Sequence, residues 1–172
     1  MSTSPTEREQ ETITPIRQAT IAKLSERAIG RMTYQIGVGE SKTVYLAVTA
    51  NDGGGYFSRE WIALPRIRAV LADIWDADTP FTTSLLRAVY HNKSANNGGF
   101  LAAMLRHEGL LTAADPPHLH RITSDWEAWE CEQWRCFEAG ERLEAENLDA
   151  AQPPPKPLTR KRQRKETDHA NE

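Results

Sequence analysis

The chain has few cysteines and no long apolar run among its 172 residues. Cys131 and Cys136 are its two cysteines. On a single helix their side chains would point away from each other, which disfavours a mutual disulfide. No apolar stretch approaches the roughly 20 residues of a membrane-spanning helix, and the N-terminus lacks a secretory signal pattern. These absences predict a cytoplasmic protein with reduced cysteines and no membrane association.

Catalytic motifs are also missing. The glycine run at residues 53–55 lacks the Gly-Lys-Ser/Thr ending of a phosphate-binding loop and the spacing of a dinucleotide site. His107 and Glu108 do not begin a zinc-protease motif, because Leu111 stands where the second histidine belongs. A weak zinc set remains without a C-x-x-C pair: His118, His120, Cys131 and Cys136. We therefore expect no enzyme, no metal site and no cofactor.

Charge is distributed unevenly along the chain, although the formal net charge is only −3. Residues 82–123 contain four bases and two acids, whereas residues 124–150 contain nine acids and two bases. Residues 151–172 contain six bases and three acids. This balance argues against a non-specific nucleic-acid coat protein but allows local basic surfaces.

The sequence predicts one α+β domain over residues 14–150, after a disordered N-terminus at residues 1–13. Thr14 and Pro15 are typical of a helix start, and Gly30 of a helix end. Alternating apolar residues then predict a three-stranded antiparallel meander over residues 31–38, 43–49 and 56–63. A helix is expected from Pro65 to Trp75.

Aromatic residues in the meander permit two interpretations. Exposed on a sheet, they could stack the bases of a single-stranded nucleic acid. Few basic residues accompany them, so packing within the sheet is the favoured interpretation. The residues are Tyr45, Tyr56, Phe57 and Trp61.

Residues 79–123 predict a helix, a polar turn, a second helix and a short β return. Pro80 suits the first position of a helix, and Phe81, Leu85 and Val89 recur at helical spacing. The turn NKSANN follows, with Asn97 as the expected N-cap of the second helix. Gly109 stands where a glycine commonly ends a helix.

This pattern resembles that of winged helix-turn-helix domains, in the residues Arg106–Leu111, Pro116 and Arg121–Thr123. The resemblance implies that the second helix enters the major groove of DNA and that its N-terminal residues meet base edges. Asn96 and Asn97 would then read adenine. The nucleic-acid-binding candidates here are Lys93, Ser94, Asn96, Asn97, Arg106 and Arg121. The alternative is that they are ordinary turn and surface residues of a helical hairpin.

A long helix is expected over residues 125–148, begun by a capping box of Ser124 and Glu127. One half of it is aromatic and the other acidic. The aromatic face would pack within the domain, pair with a second copy or bind another protein. The partner-binding candidates are Trp126, Trp129, Trp134 and Phe137.

The Pro-rich and then basic tail at residues 151–172 is expected to be disordered. Its basic run could bind nucleic acid or the acidic face of residues 124–150. The run contains Arg160, Lys161, Arg162, Arg164 and Lys165.

The function that these patterns favour is DNA binding, to duplex rather than single strands, as a small regulator or an accessory factor for replication or transfer. A homodimer is a further possibility. The alternative is a non-enzymatic interaction or inhibitor protein that acts through its acidic, tryptophan-rich helix.

Overall fold

A four-stranded antiparallel sheet, in the order β1-β2-β3-β4, occupies the N-terminal part of the chain. The computed structural model describes residues 11–143. The strands are β1 (Ile13–Ala22), β2 (Arg31–Gly39), β3 (Val44–Asn51) and β4 (Ile62–Ala63). Tyr34, Ile36 and Val38 are alternate residues of β2 and belong to the hydrophobic core.

Within residues 11–143, four helices and a small hairpin follow the sheet. The helices are α1 (Leu64–Leu71), α2 (Thr83–Leu86), α3 (Asn97–His107) and α4 (Trp126–Glu138). Between α3 and α4 lies an antiparallel pair of strands, β5 (Leu111–Ala113) and β6 (His120–Ile122). The predicted α+β class is confirmed.

The helix predicted over residues 14–30 is wrong, because β1 occupies its first half. Pro15 fits this strand because β1 lies at the edge of the sheet and has a register shift between Pro15 and Arg17. Edge strands and bulges tolerate the missing N–H of proline. Ile16 and Ile21 face the core, while residues 23–30 form the turn to β2.

The third predicted strand, residues 56–63, is mostly wrong. Only Ile62–Ala63 pairs with β3. The residues before it run as an extended connection along the turn that precedes α3. The Ser58 amide donates there to Asn97 Oδ1 at 3.0 Å.

The α1 helix was predicted correctly, and a 3₁₀ turn at Ala72–Ile74 extends it. The predicted start of the next helix is wrong. The Phe81 backbone exchanges two hydrogen bonds with His120 of β6, at 3.0 and 2.9 Å, and α2 begins at Thr83. Pro80 therefore leads into an extended residue and not into a helix.

Glycines end α3 and α4 in the same way. Gly109 has a φ of +76° and Gly140 a φ of +85°. The residue after each glycine donates to a carbonyl of the last helical turn, Leu110 to Leu105 at 2.9 Å and Glu141 to Cys136 at 3.0 Å. The prediction for Gly109 is confirmed.

The α4 helix is shorter than the predicted helix over residues 125–148, because Gly140 stops it. The expected capping box is absent as well, since the Ser124 hydroxyl contacts Asp125 and the cap shows no side-chain hydrogen bond. The last residues of the predicted helix, the Pro-rich and basic tail, and most of the N-terminal segment lie outside the described residues.

The core lies between the inner face of the sheet and the helices. The β1 strand packs on α3, and α4 contacts the first three strands. Among the largest fully buried side chains are Met32, Leu46, Ile67, Leu86, Leu101 and Met104. The sheet therefore covers α3. No helix within residues 11–143 has the length and apolar character needed to cross a bilayer.

Two adjacent glycines at the start of α3 provide a test of this packing. A Cβ at Gly98 would lie 2.3 Å from the Thr83 carbonyl oxygen, whereas a Cβ at Gly99 would meet nothing within 4 Å. We expect Gly98→Ala to lower the free energy of unfolding by about 1–3 kcal/mol. Gly99→Ala should raise it by about 0.5 kcal/mol, because alanine favours helix. Urea denaturation of both variants checks this, and equal effects would contradict the packing of α2 on α3.

Candidate functional site

The α3 helix, expected to read DNA, is buried along its length. All side chains from Phe100 to Leu105 are buried, and α3 contacts β1, α2 and β5. Solvent reaches the first turn, at Asn96 and Gly99, and the last turn, at Arg106 and His107. Any contact between this helix and a large ligand must therefore involve its ends.

Residues 56–60 run beside residues 91–97 and hold the start of α3 in place. The Tyr56 carbonyl accepts hydrogen bonds from Ser94 Oγ at 2.8 Å and from Asn96 Nδ2 at 3.0 Å. Asn97 is only 2% exposed, and its amide bonds the backbone of Ser58 and Asn92 at 3.0 Å each. Asn97 therefore has no free group for a base, while Asn96 remains exposed.

Arg106 is occupied by the β5–β6 hairpin. Its Nη2 donates to the carbonyls of Pro117 at 2.8 Å and Leu119 at 2.9 Å, and its Nε donates to His120 Nδ1 at 3.0 Å. Burial, together with the charges of Arg106 and His118, lowers the pKa of His120 to about 4, so the ring is neutral at neutral pH and can accept. These contacts make Arg106 a structural residue.

Arg121, another predicted DNA contact, is tied to the connection between α1 and α2. Its Nη1 lies 2.6 Å from Asp78 Oδ2 and donates to the Asp78 carbonyl at 3.0 Å. The opposite charge of Asp78 lowers the attraction of this site for phosphate.

Four cations gather at the start of α3, where Lys93 was predicted to contact DNA; Lys23 is half-buried and the other three are exposed. Lys23 and Arg27, from the β1–β2 turn, line a groove of about 390 Å³ together with Asn96 and Gly99. Arg87 reaches the same helix start, with Cγ 3.1 Å from the position of a Gly98 Cβ. We call Lys23, Arg27, Arg87 and Lys93 the basic rim.

The basic rim is free of internal ion pairs. Within residues 11–143, none of its four members lies within 4.0 Å of a carboxylate. Two acids are exposed nearby, Glu26 on the β1–β2 turn and Asp52 on the turn after β3. Lys23 and Arg27 were not among the predicted contacts, because the segment that carries them was interpreted as helix.

Large apolar side chains are exposed around the same groove. Leu24 and Ile29, which line it, are 38% and 81% exposed, and Tyr56 beside Asn96 is 65% exposed. In the described part of the chain, these are the exposed large hydrophobic residues. This surface is therefore apolar as well as basic.

The aromatic residues of α4 face the core. Trp126 is 2% exposed and donates from its indole to the Leu110 carbonyl at 2.9 Å. Trp129, Trp134 and Phe137 are partly buried against the core. Packing within the domain, one of the alternatives that the sequence left open, therefore accounts for Trp126, and partner binding by Trp129, Trp134 and Phe137 stays a prediction.

A buried carboxylate connects the sheet, α3 and α4. The Glu108 side chain is 4% exposed and accepts hydrogen bonds from Arg17 of β1, Tyr34 of β2 and Trp129 of α4. Burial alone raises the pKa of Glu108, but the Tyr34, Arg17 and Trp129 interactions outweigh it and leave that pKa below its usual value. His107 Nδ1 completes the network, 2.7 Å from the Tyr34 hydroxyl.

The weak zinc set is not assembled. Within residues 11–143, no group of three or more histidine, cysteine, aspartate or glutamate residues could hold a metal ion. Cys131 is exposed and Cys136 is buried, and both are free. The predicted tail contacts, Arg160, Lys161, Arg162, Arg164 and Lys165, lie beyond the described residues.

Comparisons with family models, curated proteins and solved structures found no match for the chain. The functional argument therefore depends on the geometry and charge of its own residues.

The Glu108 network should control acid stability. A lowered folded-state pKa means that the stabilisation is present above the unfolded pKa of about 4.3 and is lost as pH falls through the folded value. We expect Glu108→Gln to lower the free energy of unfolding by about 2–3 kcal/mol at neutral pH and to flatten its decline in acid. Glu132→Gln, on the exposed side of α4, is the control and should change it by under about 0.5 kcal/mol. Parallel acid profiles for the Glu108 variant and the parent chain would contradict this role.

Arg106 should matter for stability more than for binding. Arg106→Gln removes the hydrogen bonds to Pro117 and Leu119, and we expect a loss of about 1–3 kcal/mol in urea denaturation. Arg121→Gln removes a more exposed ion pair and should cost less. Weakened DNA binding by Arg106→Gln at unchanged stability would restore Arg106 as a DNA contact.

Proposed function

We propose that the protein binds nucleic acid, and duplex DNA in particular, through the basic rim at the start of α3. The observation that carries this proposal is the convergence of four cations without carboxylate partners at the N-terminal end of α3, which solvent reaches. One of them, Lys23, also donates to the Ile29 carbonyl at 2.8 Å and lies 5.8 Å from the Phe100 ring centroid. Lysine and arginine attract DNA phosphates, and a helix N-terminus adds a partial positive charge.

The order of the elements supports the proposal. After α1, an extended residue at Phe81 pairs with β6, α2 and α3 follow, and the β5–β6 hairpin closes the segment. Winged helix-turn-helix domains have this order, with the hairpin as the wing. We propose that residues 64–122 are a variant of this architecture.

The burial of α3 implies a shallow mode of contact. The length of the helix cannot enter a major groove while β1 covers it, so most contacts would reach phosphates and few would reach bases. Asn96, which is exposed at the start of α3, is the residue that we propose contacts a base edge. Weak sequence preference suits an accessory factor for replication or transfer better than a sequence-reading regulator. We place this activity in the cytoplasm, in keeping with free cysteines.

A second candidate function, protein binding, is favoured by the exposed Leu24 and Ile29. Aliphatic side chains contribute little to phosphate binding but are common at protein interfaces. In this alternative the β1–β2 turn would be the contact surface, in place of the aromatic side of α4. An acidic protein partner would use the same basic rim.

Charge removal at the rim tests DNA binding. We expect Lys23→Gln, Arg27→Gln and Lys93→Gln, combined in the full chain, to weaken duplex binding at least about tenfold at moderate salt. The slope of log affinity against log salt concentration should become shallower by about 3, because each of the three lost phosphate contacts contributes about 0.9 to that slope. Fluorescence anisotropy with a labelled duplex over a salt series measures both quantities.

The matched control removes three exposed bases elsewhere: Lys42→Gln, Arg135→Gln and Arg142→Gln. It alters net charge equally and should leave most of the affinity intact. If both triple variants weaken binding alike, the effect is one of net charge and the rim is not the site. If neither does, binding belongs to the basic tail. Loss of a protein partner on Ile29→Ser with intact DNA binding would establish the second candidate.

A further inference from the structure

A second groove lies on the outer face of the sheet. Its volume is about 720 Å³, and it is lined by side chains from the start of β1, from β3, from residues 59–63, from α1 and from His91. Tyr45 points into it because it alternates with the buried Val44 and Leu46. None of the proposed duplex contacts lines this groove.

Aromatic rings form one part of the groove. Gly37 of β2 has no side chain, and Trp61 lies over it, with Cζ3 3.1 Å from the position of a Gly37 Cβ. Tyr45 and Trp61 are both only partly buried. The Trp61 indole N–H donates to no residue within 11–143, while the Tyr45 hydroxyl donates to Glu11 at 2.7 Å. Rings that are held on a sheet with one side open can stack a planar base.

Cations form the other part. Arg59 and Arg66 line the groove, and neither lies within 4.0 Å of a carboxylate in the described chain. The Arg59 guanidinium lies 5.4 Å from the Phe57 ring centroid. Arg66 Nη1 lies 3.3 Å from His91 Nε2, so the imidazole can accept from it. Unpaired guanidiniums are well suited to phosphate.

Two carboxylates also line the groove, and both have hydrogen-bond donors of their own. Glu60 accepts from Ser58 Oγ at 2.7 Å and from the amides of His91 at 3.1 Å and Asn92 at 3.3 Å. Glu11 accepts from the Ser41 amide and from Tyr45. These donors satisfy the carboxylate oxygens without removing their charge, and Arg59 and Arg66 are the lining groups that can donate to an anion.

We propose that this groove binds an unpaired nucleotide, with its base on Trp61 and Tyr45 and its phosphate on Arg59 and Arg66. The nucleotide belongs to a single strand or is a free nucleoside phosphate, since both present a planar base joined to phosphate. This proposal depends on the groove alone and stands whether or not the basic rim binds duplex DNA.

The test uses the full chain and a labelled oligothymidine about ten nucleotides long, a length in the range that single-strand sites cover. Trp61→Leu and, separately, Arg59→Gln with Arg66→Gln should each weaken its binding at least about tenfold. Arg27→Gln with Lys93→Gln is the matched control, with the same charge change at the basic rim. It should weaken duplex binding and leave oligothymidine binding within about twofold.

Competition identifies the source of the nucleotide. Displacement of the oligomer by thymidine monophosphate at micromolar concentration would indicate a free nucleotide as the ligand, and failure to displace it would indicate a strand. Glu11→Gln should maintain or strengthen oligothymidine binding, because it removes a negative charge from the groove on the outer face of the sheet. Circular dichroism confirms that each variant is folded, and the exposed Arg59 provides a readout if the Trp61 variant is unstable.

The proposal is overturned if neither probe binds, or if the groove variants bind as well as the parent chain does. It is also overturned if the rim control weakens oligothymidine binding as much as the groove variants do, because the strand would then bind at the rim. Failure of duplex binding with intact oligothymidine binding would contradict the proposed function alone.

Discussion

The arrangement of the molecule depends on the contacts that other elements make with the buried Glu108 carboxylate. It lies at the C-terminal end of α3, where the helix dipole disfavours a negative charge, and it is buried. Arg17, Tyr34 and Trp129 offset both costs by donating to it from three different elements. A single charge thus fixes β1 and β2 against α3 and α4. A buried charge with several partners is sensitive to the loss of any of them, so these elements should hold or separate together.

The covering of α3 follows from this connection, and it limits what the helix can do. Helix-turn-helix order by itself would imply a recognition helix that is free to enter a groove. Here the sheet that Glu108 holds in place lies on that helix, and its first turn is what solvent reaches at the N-terminal end. The polar groups of Asn97 and Arg106 stabilise the backbone around the helix. The order of the elements therefore does not determine which surface binds a ligand.

The elements that the sequence predicts well are those with strong local signals. Alternation identified β2 and β3, and Gly109 ended α3 as expected. The helix predicted over residues 14–30 was wrong because Thr14 and Pro15 also suit an edge strand. The pairing of β1 with β2 decides between helix and strand. The site was less predictable than the fold. Asn97 and Arg106 have the residue types of DNA contacts, and only the tertiary structure reveals that backbone groups already occupy them. Lys23 and Arg27 become neighbours of α3 only when β1 is a strand.

The two proposed surfaces are joined by one hydrogen-bonded segment. Residues 91–97 place His91 in the outer groove and Lys93 and Asn96 at the start of α3. Hydrogen bonds to Tyr56, Ser58 and Glu60 hold this segment along its length. Because both ends of residues 91–97 are hydrogen-bonded to residues 56–60, the distance between the two surfaces is set by the fold and not by a flexible linker. If both surfaces bind nucleic acid, the preferred ligand is one in which a duplex adjoins an unpaired strand, since such a ligand engages both at once and gains from their effective concentration.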